Sequence, residues 1–305
     1  MIYSLGLFVT LQDGCNLDCS FCQFPLRKEF RTGNKIDYDR FVAFLDNKYE
    51  ATNCKLSIPI GAVSFCGSGE PLLYDRIVDI IQETKKRIPF VSLVTNGVLM
   101  NKELGEKILE AGVDHIVFSI TGNTESTYSE FQGSGKKVVD AKRQFEIVRK
   151  NISDLVCTRN KMCNNTQIGI SYLLDKKSQK DYFDALYYWR SIGVNYVDTR
   201  MLQCGFSYKE NDFEQYVKQH SRWWTDNNCC TCFGKVMNVF TDGRISMCNN
   251  VEEEQIVGNI YEQSISEIIN SEKFLNTFQC VTKDYLNMPE ICKTCDMLRA
   301  RPILT

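Results

Sequence analysis

Residues 5–22 read LGLFVTLQDGCNLDCSFC, a predicted strand followed by three closely spaced cysteines. The first part of this stretch, Leu5 to Leu11, has the run of apolar residues that predicts a β-strand. The loop behind that strand carries Cys15, Cys19 and Cys22 in the spacing C-x3-C-x2-C. Three thiolates spaced in this way can surround one iron–sulfur cubane and leave its fourth iron without a protein ligand. Such an open position at a metal is a place where a ligand binds.

A zinc ion or a set of buried free thiols is the alternative interpretation of this triplet. Structural zinc sites usually have four protein ligands in paired C-x2-C units. The triplet offers only three thiols, so its spacing favours the cluster. Asn16, which follows the first cysteine, is expected to support the backbone of the loop.

Composition and charge exclude several classes of partner and location. The chain has 305 residues, which is enough for one large domain and a small appendage. Its formal charge of −2 gives no reason to expect a nucleic acid as partner. It has no apolar run long enough to cross a membrane, and its first residues lack the basic region and cleavage site of a signal peptide. We therefore expect a cytoplasmic protein with no nucleic-acid or membrane partner.

The chain contains 15 cysteines, a high number for its length. Because no export signal is present, metal ligation explains them better than disulfide bonds do. The cysteines also cluster, with the triplet near the start and a larger group in the last quarter. The larger group consists of Cys229, Cys230, Cys232, Cys248, Cys280, Cys292 and Cys295.

Short apolar runs alternate with amphipathic stretches from residue 5 to about 200. Strands are predicted at 5–11, 60–65, 90–94, 115–120, 167–174 and 195–201. Helices are predicted at 37–49, 75–87, 102–111, 136–150 and 179–192. Six strand–helix alternations predict an α/β fold of parallel strands and crossover helices, packed as a closed or partly closed barrel. The reactive groups of such a barrel lie at the C-terminal ends of its strands.

Two parts of the chain depart from this alternation. Residues 151–165 are polar and unpatterned, which predicts a loop. After residue 201, helices are predicted at 212–226 and 263–277, and strands at 236–240 and 244–247. The two strands flank Thr241-Asp242-Gly243, which is typical of a hairpin turn. We expect a domain boundary near residue 205, which divides the chain into residues 1–205 and 206–305.

A second metal site is predicted in the C-terminal part. Its expected ligands are Cys232, Cys248, Cys292 and Cys295. The first two are spaced as C-x10-G-x4-C, with Gly243 in the hairpin turn between them. Two separated pairs of thiolates make a closed site. A structural zinc with the same ligands is the alternative, and either Cys229 or Cys230 could replace Cys232.

The triplet resembles the signature of the radical S-adenosylmethionine (SAM) superfamily, in which Phe21 matches the aromatic residue before the third cysteine. The resemblance implies a partial (β/α)6 barrel over residues 1–205. It implies a [4Fe–4S] cluster whose open iron binds the amino and carboxylate groups of SAM. An electron from an external donor such as flavodoxin or ferredoxin would cleave SAM to methionine and a 5′-deoxyadenosyl radical. That radical would abstract a hydrogen atom from the substrate.

The resemblance also implies SAM-binding residues near the ends of the next three strands. The segment from Gly67 to Pro71 resembles the GGEP motif of the family, with Ser68 in place of a glycine. Glu70 would accept a hydrogen bond from the methionine ammonium. The implied set is Phe21, Gly67, Ser68, Gly69, Glu70, Pro71, Asn96 and Ser119. Ordinary turn chemistry and a satisfied hydroxyl are the alternative explanation of these residues.

The spacing of the C-terminal cysteines resembles the shortened SPASM module called twitch, a small α+β unit. The segment Val257 to Ile260 and the helix expected at 264–274 share this resemblance. A full SPASM module has a further C-x5-C-x3-C tail, which is missing beyond Cys295. The resemblance therefore implies one auxiliary [4Fe–4S] cluster.

Four motifs resemble the family of twitch enzymes that oxidise 2-deoxy-scyllo-inosamine in antibiotic biosynthesis. They are the cysteine triplet, Gly69-Glu70-Pro71 with Leu72-Leu73, Thr95-Asn96-Gly97, and the segment from Glu290 to Asp296. This resemblance implies a dehydrogenase of natural product biosynthesis, acting on a sugar, aminocyclitol or nucleoside-like small molecule. It makes Arg200 an approximate match for a substrate-binding arginine. Three alternatives stay open. Cys204 could return a hydrogen atom to the substrate radical in an epimerase, a maturase would act on a ribosomal peptide, and a non-catalytic electron-transfer module would cleave no SAM.

Overall fold

A computed structural model describes most of the chain. The described residues are 4–19, 22, 32–46, 58–132, 138–174, 178–201, 236–248 and 255–283. They contain one nine-stranded sheet. Its strands are β1 (Leu5–Val9), β2 (Ile60–Phe65), β3 (Phe90–Thr95), β4 (His115–Ile120), β5 (Gln167–Leu174), β6 (Tyr196–Met201), β7 (Val236–Val239), β8 (Arg244–Ser246) and β9 (Ile256–Asn259).

The sheet has the order β6-β5-β4-β3-β2-β1-β7-β8-β9. Strands β1 to β6 pair in parallel with their sequence neighbours. Parallel neighbours need crossover connections, and helices supply them. The predicted parallel α/β architecture is confirmed, and the C-terminal ends of β1 to β6 meet at one edge of the sheet.

Helices connect the strands and cover one face of the sheet. They are α1 (Tyr38–Asp46), α2 (Ile77–Lys85), α3 (Lys102–Glu110), α4 (Glu125–Phe131), α5 (Val138–Lys161), α6 (Tyr182–Ser191), α7 (Ile265–Asn270) and α8 (Glu272–Lys283). Several begin with a capping side chain, as at Asn101, whose side chain accepts from the N–H of Leu104. Among the described residues, no helix has the length and apolar character needed to span a bilayer.

The prediction of a loop at 151–165 is wrong for most of its length. Helix α5 continues to Lys161. Ile152, Leu155 and Val156 are buried, and their spacing carries on the apolar stripe of the preceding turns. The polar residues between them obscured that stripe, although they occupy the exposed side of the helix. The single helix predicted at 263–277 is also wrong, because Ser271 separates α7 from α8.

Alternation of side chains gives the sheet an apolar face and a polar face. Phe118 and Ile120 of β4 belong to the apolar core, so Ser119 between them points the other way. Strand register places Ser119 beside Ser171 of β5 and Ser171 beside Asp198 of β6. These three residues, called here the polar row, lie at one level across the C-terminal half of the sheet.

The C-terminal part of the chain extends the same sheet. Strand β7 pairs in parallel with β1, and β8 and β9 follow in antiparallel pairing. The predicted hairpin at Thr241-Asp242-Gly243 is confirmed. Gly243 has a φ of +82°, and an added Cβ there would lie 2.4 Å from the Asn259 Oδ1 atom, so the turn requires glycine. The boundary expected near residue 205 lies outside the described residues and stays a prediction.

Candidate active site

The cysteine loop leaves the C-terminal end of β1. Cys15 is exposed, whereas Cys19 and Cys22 are half-buried. The N–H of Cys22 donates to the carbonyl of Cys19 at 3.1 Å. Burial raises the pKa of the Cys19 thiol, and the nearby Cys22 and Cys15 thiols raise that pKa further. The three thiols are therefore close enough to affect one another's charge. Phe21 lies outside the described residues.

Asn96 connects the end of β3 to this loop. Its Nδ2 atom donates to the Asn16 Oδ1 atom at 2.8 Å and lies 3.8 Å from the Cys15 sulfur. Its Oδ1 atom accepts from the N–H of Val98 at 3.0 Å, which fixes the side chain. The structure therefore places Asn96 against the first cysteine. Sequence reasoning placed Asn16 in the loop, but no pattern in the sequence joins it to Asn96.

The glycines of the turn after β2 press against the backbone of the cysteine loop. An added Cβ at Gly69 would lie 2.2 Å from the Gln12 carbonyl oxygen and 2.5 Å from that of Gly14. At Gly67, φ is +124°, and an added Cβ would lie 2.2 Å from the Thr10 hydroxyl. The half-buried Ser68 stands between these glycines. The close approach of the backbone at these glycines is therefore to the cysteine loop of the same chain.

Glu70 is buried and links the turn after β2 to the residues at the end of β3. Its Oε1 atom accepts from the Thr95 hydroxyl at 2.6 Å and from the Leu72 N–H at 3.1 Å. Its Oε2 atom accepts from the Asn96 N–H at 2.8 Å. A carboxylate offers about four acceptor positions, so one remains for a ligand. Pro71 then begins a short 3-10 turn that Glu70 caps.

Asp198 and Arg200 are exposed residues of β6. Because they are two positions apart in the strand, their side chains lie on the same face of the sheet. Within the described residues, neither side chain makes a hydrogen bond or an ion pair. Burial raises the pKa of the Cys66 thiol at the end of β2 to about 11, although a hydrogen bond with Ser64 and the charge of Arg200 lower it. Strand register places Arg200 beside Leu173 of β5, at the C-terminal end of the sheet. Ser119 is half-buried, and its carbonyl accepts from the Gln132 Nε2 atom at 2.8 Å.

Of the four cysteines expected to hold the auxiliary cluster, the structure describes Cys248. Cys248 is half-buried just after β8, and its N–H donates to the Ser246 hydroxyl at 3.2 Å. The other three expected ligands, Cys232, Cys292 and Cys295, lie outside the described residues, as does Cys204.

The donor set of the first loop fits a cluster with three protein ligands. A thiolate beside two other thiols is disfavoured unless a metal ligates it, because coordination stabilises the deprotonated form. No group of three His, Cys, Asp or Glu side chains in the described part of the chain is arranged around a single metal ion. The C-terminal end of β3 lies alongside the cysteine loop, because Asn96 at that end is hydrogen-bonded to Asn16 of the loop.

Comparison with known families identifies both parts of the chain. A model of the radical SAM superfamily matches residues 9–161, and a model of an iron–sulfur cluster-binding domain, SPASM, matches residues 229–296. The cofactors are therefore a [4Fe–4S] cluster with SAM and an auxiliary iron–sulfur cluster.

Similar proteins differ in what they act on. The tungsten-containing aldehyde ferredoxin oxidoreductase cofactor-modifying protein of Pyrococcus furiosus is 24% identical, over 92% of this chain and 84% of that protein. The structure of BtrN in complex with AdoMet and 2-DOIA has a TM-score of 0.55 at 16% identity, covering 96% and 93% of the two chains. Streptococcus suis SuiB bound to precursor peptide SuiA has a TM-score of 0.69 at 15% identity, covering 98% and 71%.

These two structural likenesses show the fold and leave the substrate open. The family models agree with the two places in which the cysteines cluster. The radical SAM model spans half of the 305 residues of this chain. This chain therefore belongs to the radical SAM superfamily.

Proposed function

We propose that this enzyme is a dehydrogenase that oxidises a polar small molecule, such as a sugar, an aminocyclitol or a nucleoside-like compound. The observation that carries the proposal is the polar face at the C-terminal end of the sheet. Its outer part presents the Asp198 carboxylate and the Arg200 guanidinium, which make no hydrogen bond or ion pair with any described residue. Charged side chains without an ion-pair partner on this face suit a substrate with many hydroxyl or amino groups.

When bound, the cofactors would supply a 5′-deoxyadenosyl radical to take the carbinol hydrogen atom and an auxiliary cluster to accept the second electron, while the hydroxyl proton would pass to a base or to water. The chain's own residues hold the substrate. Arg200 donates hydrogen bonds to substrate oxygens, and Asp198 accepts them from hydroxyl or ammonium groups. Ser119 adds a neutral hydroxyl in the polar row. A flavodoxin or ferredoxin is the expected external electron donor.

Epimerisation is the second candidate, because a described thiol stands on the polar face. Burial raises the pKa of Cys66 to about 11, so this residue carries its S–H hydrogen at neutral pH. A protonated thiol can return a hydrogen atom to a carbon radical, with no net oxidation. Cys204, the donor expected from the sequence, remains a proposal for the same role.

Product analysis in deuterated water separates these reactions. The reconstituted enzyme is incubated anaerobically with SAM, dithionite and candidate sugars, aminocyclitols and peptides. We expect a carbonyl product two hydrogens poorer than its substrate and without solvent deuterium. An epimerised product that carries deuterium, and loses it in Cys66→Ala or Cys204→Ala, would replace the dehydrogenase assignment. A modified peptide with no small-molecule product would point to a maturase.

Arg200→Met tests substrate binding in the same assay. We expect KM to rise about tenfold, the loss of roughly one charge-assisted hydrogen bond. Cleavage of SAM without substrate should stay unchanged. Arg190→Met, at an exposed position near the end of α6, is the matched control and should change neither value. An unchanged KM in Arg200→Met would remove Arg200 from the site.

A further inference from the structure

Asp13 is a buried carboxylate at the entrance of the cysteine loop, two residues before Cys15. Its backbone N–H donates to the Asn34 carbonyl at 2.8 Å, and its own carbonyl accepts from the Gly33 N–H at 2.9 Å. Its Oδ2 atom accepts from the Thr32 hydroxyl at 3.0 Å. These contacts bind the loop to the segment that leads into α1.

A fourth contact to Asp13 comes from the far end of the chain. The hydroxyl of Thr241, in the turn between β7 and β8, donates to the same Oδ2 atom at 2.7 Å. Thr241 is 5% exposed and Asp13 is 9% exposed, so water competes little for this bond. A buried hydrogen bond to a charged group is among the stronger contacts in a protein.

The Thr241 turn is itself held against the N-terminal part of the chain. The Tyr261 hydroxyl donates to the Thr241 carbonyl at 3.0 Å and accepts from the Asp37 N–H at 2.8 Å. The Arg40 guanidinium donates to the Tyr261 carbonyl at 2.9 Å and lies 4.2 Å from the centre of the Tyr261 ring. Thr241 therefore presents its hydroxyl from a fixed position.

We infer that the Thr241–Asp13 hydrogen bond positions the loop of the SAM-binding cluster. Thr241 lies within the iron–sulfur cluster-binding domain, seven residues before Cys248, and Asp13 lies two residues before Cys15. The C-terminal domain thus holds the first cluster's loop in addition to ligating its own cluster. Thr241 is a positioning residue, since it acts on the cluster through Asp13. The inference holds whatever the substrate is.

Removing only the hydroxyl tests this inference in the reconstituted holoenzyme. Thr241→Val keeps the shape of the side chain, and Thr241→Ser keeps the hydroxyl. Ferrous iron released to a chelator is followed over time, and electron paramagnetic resonance of the reduced protein is recorded with and without SAM. Only the cluster with an open iron responds to SAM, so its signal separates the two clusters.

For Thr241→Val we expect iron from the SAM-responsive cluster to be released about tenfold faster, as loss of a charge-assisted hydrogen bond implies. The paramagnetic resonance signal of this cluster in the presence of SAM should become broader. The rate of iron release from the auxiliary cluster should stay unchanged. Thr241→Ser should behave as wild type. Thr32→Val removes the other hydroxyl from the same carboxylate oxygen and should have a smaller effect.

Three results would overturn the inference. The first is a Thr241→Val protein that matches wild type in both measurements. The second is equal acceleration of iron release from both clusters, which would mean general destabilisation of the hairpin. The third is an effect of Thr32→Val as large as that of Thr241→Val. This would mean that the Asp13 carboxylate depends equally on each hydroxyl donor and that the contact with the C-terminal domain has no special role.

Discussion

Glu70 joins two loops at the site and is also the residue expected to meet the ammonium of SAM. Three hydrogen bonds from Leu72, Thr95 and Asn96 fix its carboxylate. Burial raises the pKa of that carboxyl, while the bonds from Asn96, Thr95 and Leu72 lower it. The residue therefore has a structural role that a substitution must be designed to separate from binding.

Glu70→Gln removes the charge and keeps the size of the side chain. We expect it to weaken SAM binding about tenfold, since a neutral amide attracts an ammonium less than a carboxylate does. Thr95→Val is the matched control, because it loses one of the same internal bonds and leaves the charge. Its affinity for SAM should stay within about twofold of wild type. Titration calorimetry on the oxidised, reconstituted protein measures both, and an unchanged affinity in Glu70→Gln would take Glu70 out of the binding site.

At the scale of elements, the turn after β2 and the cysteine loop share backbone contacts. The Glu70 N–H donates to the Gly14 carbonyl at 2.8 Å, and Gly69 leaves no room for a side chain at this point. The glycine-rich motif could be predicted from the sequence. Its packing against the cysteine loop could not, because the residues in contact are more than fifty positions apart and are joined only by the pairing of β1 and β2.

Gly69→Ala should displace the cysteine loop, because its Cβ would meet backbone oxygens that cannot move independently. We expect the variant to keep only the auxiliary cluster, about half of the iron of wild type. Gly14→Ala is the control on the same loop, since its Cβ would meet only the end of the Gln12 side chain at 3.3 Å. Iron content per chain checks both variants, and a full iron content in Gly69→Ala would show that the loop tolerates the clash.

At the scale of the molecule, periodicity predicted the parallel strands well, since β2, β4 and β5 have the bounds expected from their apolar runs. Local pattern failed where polar residues filled the exposed side of α5. It also could not reveal that β7 joins β1, or that Asp13 meets Thr241 across 228 positions of sequence. Such contacts depend on tertiary packing, which short-range periodicity does not encode.

We propose that the loop of Cys15, Cys19 and Cys22 holds the cluster that cleaves SAM. The most direct test of this proposal is the amount of 5′-deoxyadenosine formed from SAM and dithionite by wild type and by the triple alanine variant of these cysteines. Wild type should contain about eight irons per chain in two four-iron clusters and should form 5′-deoxyadenosine. The variant should keep about four irons, which shows that the auxiliary site is intact, and should form none. Formation of 5′-deoxyadenosine by the variant, or its absence from fully reconstituted wild type, would show that these cysteines do not hold that cluster.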